Sequence, residues 1–292
     1  MTNERRPLVF LGTPDAAATV LRALIGAECD IRHVITRPDA KRGRGGALSP
    51  SPVKVAAIEA GLSVSHDLEW IKSHTNSSML GIVVAYGRII PKDVLDIMPM
   101  INIHFSLLPR WRGAAPVERA ILEGDDVTGV CIMDVEETLD TGAVYARAEM
   151  LITDVITASE LTRDLSVLGA ELLVKTLQDG LGIPVPQAGE PTYAAKITAD
   201  DQRIDWSKPA VDIVRRVRAV RAFTTVDGAR LRILEARPAE ESVQQGHVTP
   251  TGCVGAGSGA VQLLKVQPEG KQAMDVDAWL RGRASRPSTI CV

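Results

Sequence analysis

Aromatic residues supply only 3% of the 292 positions, so any buried core must be built from aliphatic side chains. Cores of that kind are common in α/β proteins, whose buried parallel strands are rich in Val, Ile and Leu. Cysteine is equally scarce. The four present, Cys29, Cys131, Cys253 and Cys291, have no C-x-x-C spacing and no nearby histidine cluster. That argues against a zinc site and against a disulfide framework, and the expectation is reduced thiols in a cytoplasmic protein with no metal. No apolar stretch approaches the ~20 residues a membrane span requires, and Met1–Pro7 lacks the apolar core and cleavage site of a secretory signal. No excess of one charge is present either. A formal net charge of −3 means that contact with a polyanion would need local basic patches rather than the whole surface.

What the chain does have is alternation. With 45% hydrophobic residues it can bury two cores. Strand-like apolar runs at 8–11, 31–36, 81–85 and 101–104 are separated by helical patterns at 15–25, 51–60 and 91–98, the βαβ rhythm of a doubly wound, mostly parallel sheet. Ser51 can cap the second of these helices, Pro52 suits its first position and Gly61 can close it. A helix at 116–122 and strands at 128–133 and 143–146 follow. Near 183–192 the composition shifts to Pro184, Pro186, Gly189 and Pro191, which reads as a linker. The expected division is a catalytic domain over 1–183, a linker over 184–203 and a smaller domain over 204–292. The last contains a helix at 209–220 and short strands including 230–234 and 260–266, with Trp206 and Trp279 as core anchors. The glycines of 252–259 read as a flexible turn.

The chemistry lies in Ile101-Asn-Ile-His104 and the segment after it. Alternation sends Asn102 and His104 to the same side of a strand. Residues 106–116 carry two prolines and a glycine, so they form a loop beyond the strand's carboxyl end, where open α/β sheets bind ligands. Asp140, in Leu139-Asp-Thr-Gly142, sits in the turn between the next two strands. A lone histidine at a strand end is usually structural and a lone Asp usually a turn former. An amide and an imidazole on one face, with a carboxylate in a neighbouring loop, shift the balance to catalysis. Gly12-Thr-Pro14 lacks the G-x-G-x-x-G spacing and reads as a structural turn.

Asn102, His104, Ser106-Leu-Leu-Pro109 and Asp140 together resemble the catalytic signature of the folate-dependent formyltransferases. The opening Leu8-Val-Phe-Leu-Gly-Thr-Pro14 resembles that family's first strand and turn. Thr36-Arg-Pro-Asp39, Gly43-Arg-Gly45 and Ser51-Pro-Val-Lys54 resemble a loop of its tRNA-specific members, and Tyr193-Ala-Ala-Lys-Ile197, Ile204-Asp-Trp206 and Gln267-Pro-Glu-Gly-Lys271 resemble their carboxyl-terminal domain. Phe105 departs from the small residue usual there, and Arg221–Arg230 from a Pro-rich segment. The resemblance implies a formyltransferase sheet domain of Rossmann-like type and a second, OB-like β-barrel domain. It implies catalysis by Asn102, His104 and Asp140, with Ser106, Leu107, Leu108 and Pro109 binding the folate co-substrate 10-formyltetrahydrofolate.

The implied acceptor is initiator methionyl-tRNA. Asn102 and His104 would supply the donors for the oxyanion formed when its α-amine attacks the formyl carbon. Asp140 would orient the imidazole and help the amine lose its proton. Lys41, Arg42 and Arg44 in the glycine-rich loop are expected to contact tRNA phosphates. From Arg203 to Arg237 there are nine Lys/Arg against four Asp/Glu, a local basic excess that makes Arg215 and Arg216 further candidates. An amino-sugar nucleotide is the alternative acceptor, though it would leave the basic loop without a task. The expected assembly is a monomer with no membrane contact.

Overall fold

The computed structural model describes residues 6–41 and 46–283 and divides the chain into two compact units. Unit 1 comprises Met1–Pro116, Val127–Leu151 and Ser159–Tyr193; unit 2 comprises Val117–Asp126, Ile152–Ala158 and Ala194–Val292. In chain order the elements are β1 (Leu8–Gly12), α1 (Asp15–Gly26), β2 (Ile31–Ile35), β3 (Ala40–Lys41), β4 (Leu48–Ser49), α2 (Pro52–Glu59), β5 (Val64–Ser65), α3 (Glu69–His74), β6 (Leu80–Val84), α4 (Lys92–Leu95), β7 (Met100–His104), β8 (Arg112–Gly113), α5 (Pro116–Glu123), β9 (Val127–Asp134), β10 (Val144–Leu151) and α6 (Ala158–Asp179). They continue with β11 (Tyr193–Ala194), α7 (Ala199–Gln202), α8 (Ala210–Ala219), β12 (Phe223–Val226), β13 (Ala229–Ala239), β14 (Cys253–Gly255), β15 (Ala260–Pro268), β16 (Met274–Asp275) and α9 (Val276–Arg281).

Unit 1 is built on one sheet with the order β10-β9-β7-β6-β1-β2-β5. Its strands run parallel except β9, which is antiparallel to both of its neighbours, β7 and the edge strand β10. The chain leaves β1 toward β2 and later resumes on the other side with β6 and β7, so the sheet is doubly wound. Every residue of β1 and β6 is buried, as a central strand covered on both faces requires. Local signals place the helices. The Ser51 hydroxyl accepts from the Lys54 amide at 3.0 Å at the start of α2, and Gly61 beyond its end has φ +70°. The 22-residue α6 had not been expected, although Leu161, Leu165, Leu168 and Leu172 recur at three- to four-residue spacing.

Unit 2 carries the antiparallel order β12-β13-β15-β14, with β16 also on β15. Among the described residues this ladder does not close on itself, so the OB-like barrel is realised as a curled half-barrel. Its core includes Trp206, Ile213, Val217, Leu231, Leu263 and Trp279, and the Trp206 indole N–H donates to the Thr224 hydroxyl at 2.9 Å. The glycine-rich 252–259 segment differs from the flexible turn expected there. Its Cys253–Gly255 portion is a fully buried strand, and Gly255 is needed because a Cβ would lie 2.3 Å from the Gln244 carbonyl oxygen. Nor is all of 184–203 a free linker. Val185 and Val144 exchange backbone hydrogen bonds of 2.8 Å each way within unit 1, and residues 199–202 form α7 in unit 2.

Candidate active site

β7 pairs with β6 through Val83 and Asn102, and with β9 through Asn102 opposite Met133 and His104 opposite Cys131. This register fixes the carboxyl end of β7, where Asn102 and His104, together with Ile103 and Phe105, line one cavity of about 590 Å³. The rest of its wall comes from the segment after β6, Ala85–Ile90, and from the β9–β10 connection, including Val135, Glu136, Leu139 and Asp140. The three groups expected from the sequence therefore share one space. That volume is ordinary for a site that takes a cofactor-sized ligand. At its edge Ile89 and Leu139 are 87% and 64% exposed, an apolar rim around a partly polar interior.

His104 is 6% exposed, and its Nε2 lies 2.7 Å from the Trp111 carbonyl oxygen. A carbonyl only accepts, so Nε2 carries the proton of that bond and Nδ1 is the nitrogen turned toward Asp140. The separation between Nδ1 and Asp140 Oδ1 is 3.8 Å, too long for a hydrogen bond. The Asp140 carboxylate is anchored elsewhere: Oδ2 accepts from the Gly113 amide at 2.8 Å. Thus the imidazole is oriented by the Trp111 carbonyl, which corrects the orienting task expected of Asp140. A backbone oxygen has no signature in the sequence.

Ser106 stabilises that carbonyl. Its hydroxyl donates to the Trp111 oxygen at 3.1 Å and accepts from the Trp111 amide at 3.1 Å. Ser106 and Leu108 are each 1% exposed. Leu108 packs with Cys131, Met133 and Val144, and Leu107 lies against Gly129. None of Ser106, Leu107, Leu108 and Pro109 lines this cavity, and the stretch builds the loop that carries Trp111. Phe105 does reach the cavity wall.

Asp140 adopts φ +55°, in the left-handed region that Asp and Asn tolerate better than most residues. Two residues on, Gly142 is required by space, since a Cβ there would lie 2.1 Å from the Asp134 carbonyl oxygen. At the base of the same hairpin the Tyr145 hydroxyl donates to Asp134 at 2.7 Å. Burial and this bond push the Tyr145 phenol up to about 12. Burial likewise raises the Asp134 carboxyl, with the Tyr145 bond acting against it. The raised value at Tyr145 keeps the phenol protonated as the donor of this bond.

Of the residues expected to meet tRNA, Lys41 is exposed at the end of β3, paired with Leu48 of β4, whereas Arg42 and Arg44 lie outside the described residues. Just before β3, the Asp39 carboxylate accepts from Lys54 at 2.8 Å. In unit 2, Arg215 pairs with Asp212 at 3.1 Å, and Arg216 donates to the Asp201 carbonyl oxygen. Both are half-buried, so part of each guanidinium is committed within the unit. Among the described residues no group of three or more His, Cys, Asp or Glu is placed to hold a metal ion, and no helix is long and apolar enough to cross a membrane.

Comparison with known proteins agrees with this geometry. The family described as "Formyl transferase" matches residues 5–177, and "Formyl transferase, C-terminal domain" matches residues 196–284. The chain belongs to the formyl transferase family. It is similar to the Methionyl-tRNA formyltransferase of Paenarthrobacter aurescens, 41% identical over 298 residues that cover 95% of this chain and 97% of that protein. Among solved structures, Methionyl-tRNA formyltransferase from Clostridium thermocellum has a TM-score of 0.61 at 16% identity, covering 82% of this chain and 96% of that one. The N-formyltransferase from Helicobacter canadensis in complex with folinic acid and dTDP-3-aminofucose has a TM-score of 0.67 at 16% identity, covering 91% and 99%. At such identities the two structures establish the fold alone. This chain shares the fold across both units and is an enzyme of formyl transfer.

Proposed function

We propose that the chain transfers the formyl group of 10-formyltetrahydrofolate to the α-amine of initiator methionyl-tRNA. The observation that carries this reading is the convergence of Asn102, His104 and Asp140 on one cavity in a chain similar, over nearly its whole length, to a methionyl-tRNA formyltransferase. The cavity suits the pterin and aryl parts of the folate, with Ile89 and Leu139 flanking its open side.

In the reaction the neutral amine attacks the formyl carbon, a C–N bond forms, and the carbonyl electrons move onto oxygen. The Asn102 amide and a protonated Nδ1 of His104 supply donors to that oxyanion. The proton lost by the amine passes through the Asp140 carboxylate to the folate nitrogen N10. The C–N10 bond then breaks, leaving formylated methionyl-tRNA and tetrahydrofolate. Asp140 Oδ1 faces the imidazole while Oδ2 is occupied by the Gly113 amide, so one oxygen remains for proton movement.

Lys41, Arg42 and Arg44 hold tRNA phosphates in this reading. Arg215 and Arg216 add cationic surface, since a guanidinium has five N–H donors and each has committed only part of them. Purified protein incubated with 10-formyltetrahydrofolate and either charged initiator tRNA or amino-sugar nucleotides tests the assignment. Formylation of the aminoacyl-tRNA alone is expected. Formylation of an amino-sugar nucleotide with no reaction on the tRNA would replace it.

A further inference from the structure

We propose that Gln187 is a positioning residue for formyl transfer, acting through Asp140 and not on either substrate. The inference rests on the reading of Asp140 as a catalytic group. Gln187 is half-buried, while its neighbours Val185, Pro186, Ala188 and Gly189 are exposed. Its carboxamide is used at both ends. Nε2 donates to the carbonyl oxygens of Asp140 and Gly142, each at 2.9 Å. Oε1 accepts from Nε and Nη2 of Arg112 at 3.0 and 2.8 Å. Arginine has no acceptor and a carbonyl has no donor, so the amide can sit in only one orientation.

The place of these bonds gives them a consequence. Arg112 precedes Gly113, the residue whose amide donates to the Asp140 carboxylate at 2.8 Å. Gln187 therefore ties together both sides of that contact, the donor strand through Arg112 and the acceptor turn through the carbonyls of Asp140 and Gly142. The turn needs such support because Asp140 has φ +55°, a conformation that persists only where the surroundings hold it. The segment bearing Gln187 is itself fixed on either side, by the Val185–Val144 backbone pair at 2.8 Å and by Thr192, whose carbonyl accepts from the Arg112 amide at 2.8 Å. Gln187 does not line the cavity. Its effect falls on where the Asp140 carboxylate stands relative to His104, and misplacement of a reacting group by about 1 Å can cost on the order of 10²-fold in rate.

Two substitutions separate this role from simple support of Arg112. Gln187→Glu keeps an acceptor for both Arg112 donors but cannot donate to the two carbonyls, whereas Gln187→Met removes both functions. Steady-state formyl transfer from 10-formyltetrahydrofolate to methionyl-tRNA is measured for each, with thermal unfolding as a check on folding. Both variants should lose about 10- to 100-fold in kcat, the usual cost of removing a supporting partner, with KM for both substrates within about twofold of the parent. In an Asp140→Asn background, Gln187→Glu should cause no further loss, because it acts through the group already removed. Parental kcat in Gln187→Glu with loss only in Gln187→Met overturns the proposal and leaves Gln187 as a partner of Arg112. A loss confined to KM, or one that adds fully to that of Asp140→Asn, overturns it as well. Parental activity of Asp140→Asn alone is the separate result that removes the catalytic reading of Asp140, whatever Gln187 does.

Discussion

The Nε2 of His104 donates to the carbonyl oxygen of Trp111 at 2.7 Å, so the ring presents Nδ1 to the cavity and to Asp140. One nitrogen is held by the framework and the other is left for chemistry. The ring cannot flip without losing a buried hydrogen bond, and a protonated Nδ1 is the form able to donate to an oxyanion.

Ser106→Ala tests that framework. It deprives the Trp111 carbonyl and amide of their shared partner while leaving every cavity-lining side chain in place. About 1–3 kcal/mol of stability should be lost, and kcat should fall about tenfold or more with folate affinity unchanged. Chemical denaturation together with steady-state kinetics checks both effects. A variant that loses folate binding with parental kcat would return Ser106 to the role of direct folate ligand.

Asp201 in unit 2 gives a pH dependence of known sign. Burial alone would raise its carboxyl, but hydrogen bonds from Arg119 and Thr198 outweigh it and bring the pKa to about 2. A carboxylate lowered in this way contributes stability that is present above its unfolded value near 4 and lost as pH falls through about 2. Asp201→Asn should therefore cost about 2 kcal/mol at neutral pH, and the difference from the parent should vanish between about pH 4 and pH 2. Urea unfolding followed across that range is the measurement.

Arg44→Ala should act on tRNA binding. Removing one phosphate contact weakens binding of charged tRNA and flattens the dependence of log affinity on log salt by roughly one unit, with folate affinity unchanged. Binding titrations at several salt concentrations decide it, and a parental slope and affinity would mark the loop as a solvated surface.

Much of the fold was legible because it is written in local patterns. The all-apolar Leu8–Leu11 run became a central strand, and Ser51, Pro52 and Gly61 bounded a helix as their capping chemistry requires. Asn102 and His104, placed near a strand end by the apolar pattern, both line the cavity, as do Ile103 and Phe105. What the sequence withheld is non-local or carried by the backbone. Arg112 and Gln187 are 75 positions apart, and bonds of that kind leave no periodic trace. The Trp111 carbonyl is an acceptor whatever residue bears it. Glycines at 252–259 suggested a turn because glycine favours turns, whereas Gly255 serves close packing of backbone against backbone.

The most direct test of the central claim is the single-turnover rate of formyl transfer, with 10-formyltetrahydrofolate and methionyl-tRNA both bound, for Asn102→Ala, His104→Ala and Asp140→Ala. Removing one preorganised donor typically costs 10²–10³-fold, so for each of Asn102→Ala and His104→Ala the rate should fall about 10²-fold or more. Asp140→Ala should fall at least as far through loss of proton transfer, and all three proteins should still bind folate. Retention of more than about a tenth of the parental rate in any folded variant of the three would contradict the account.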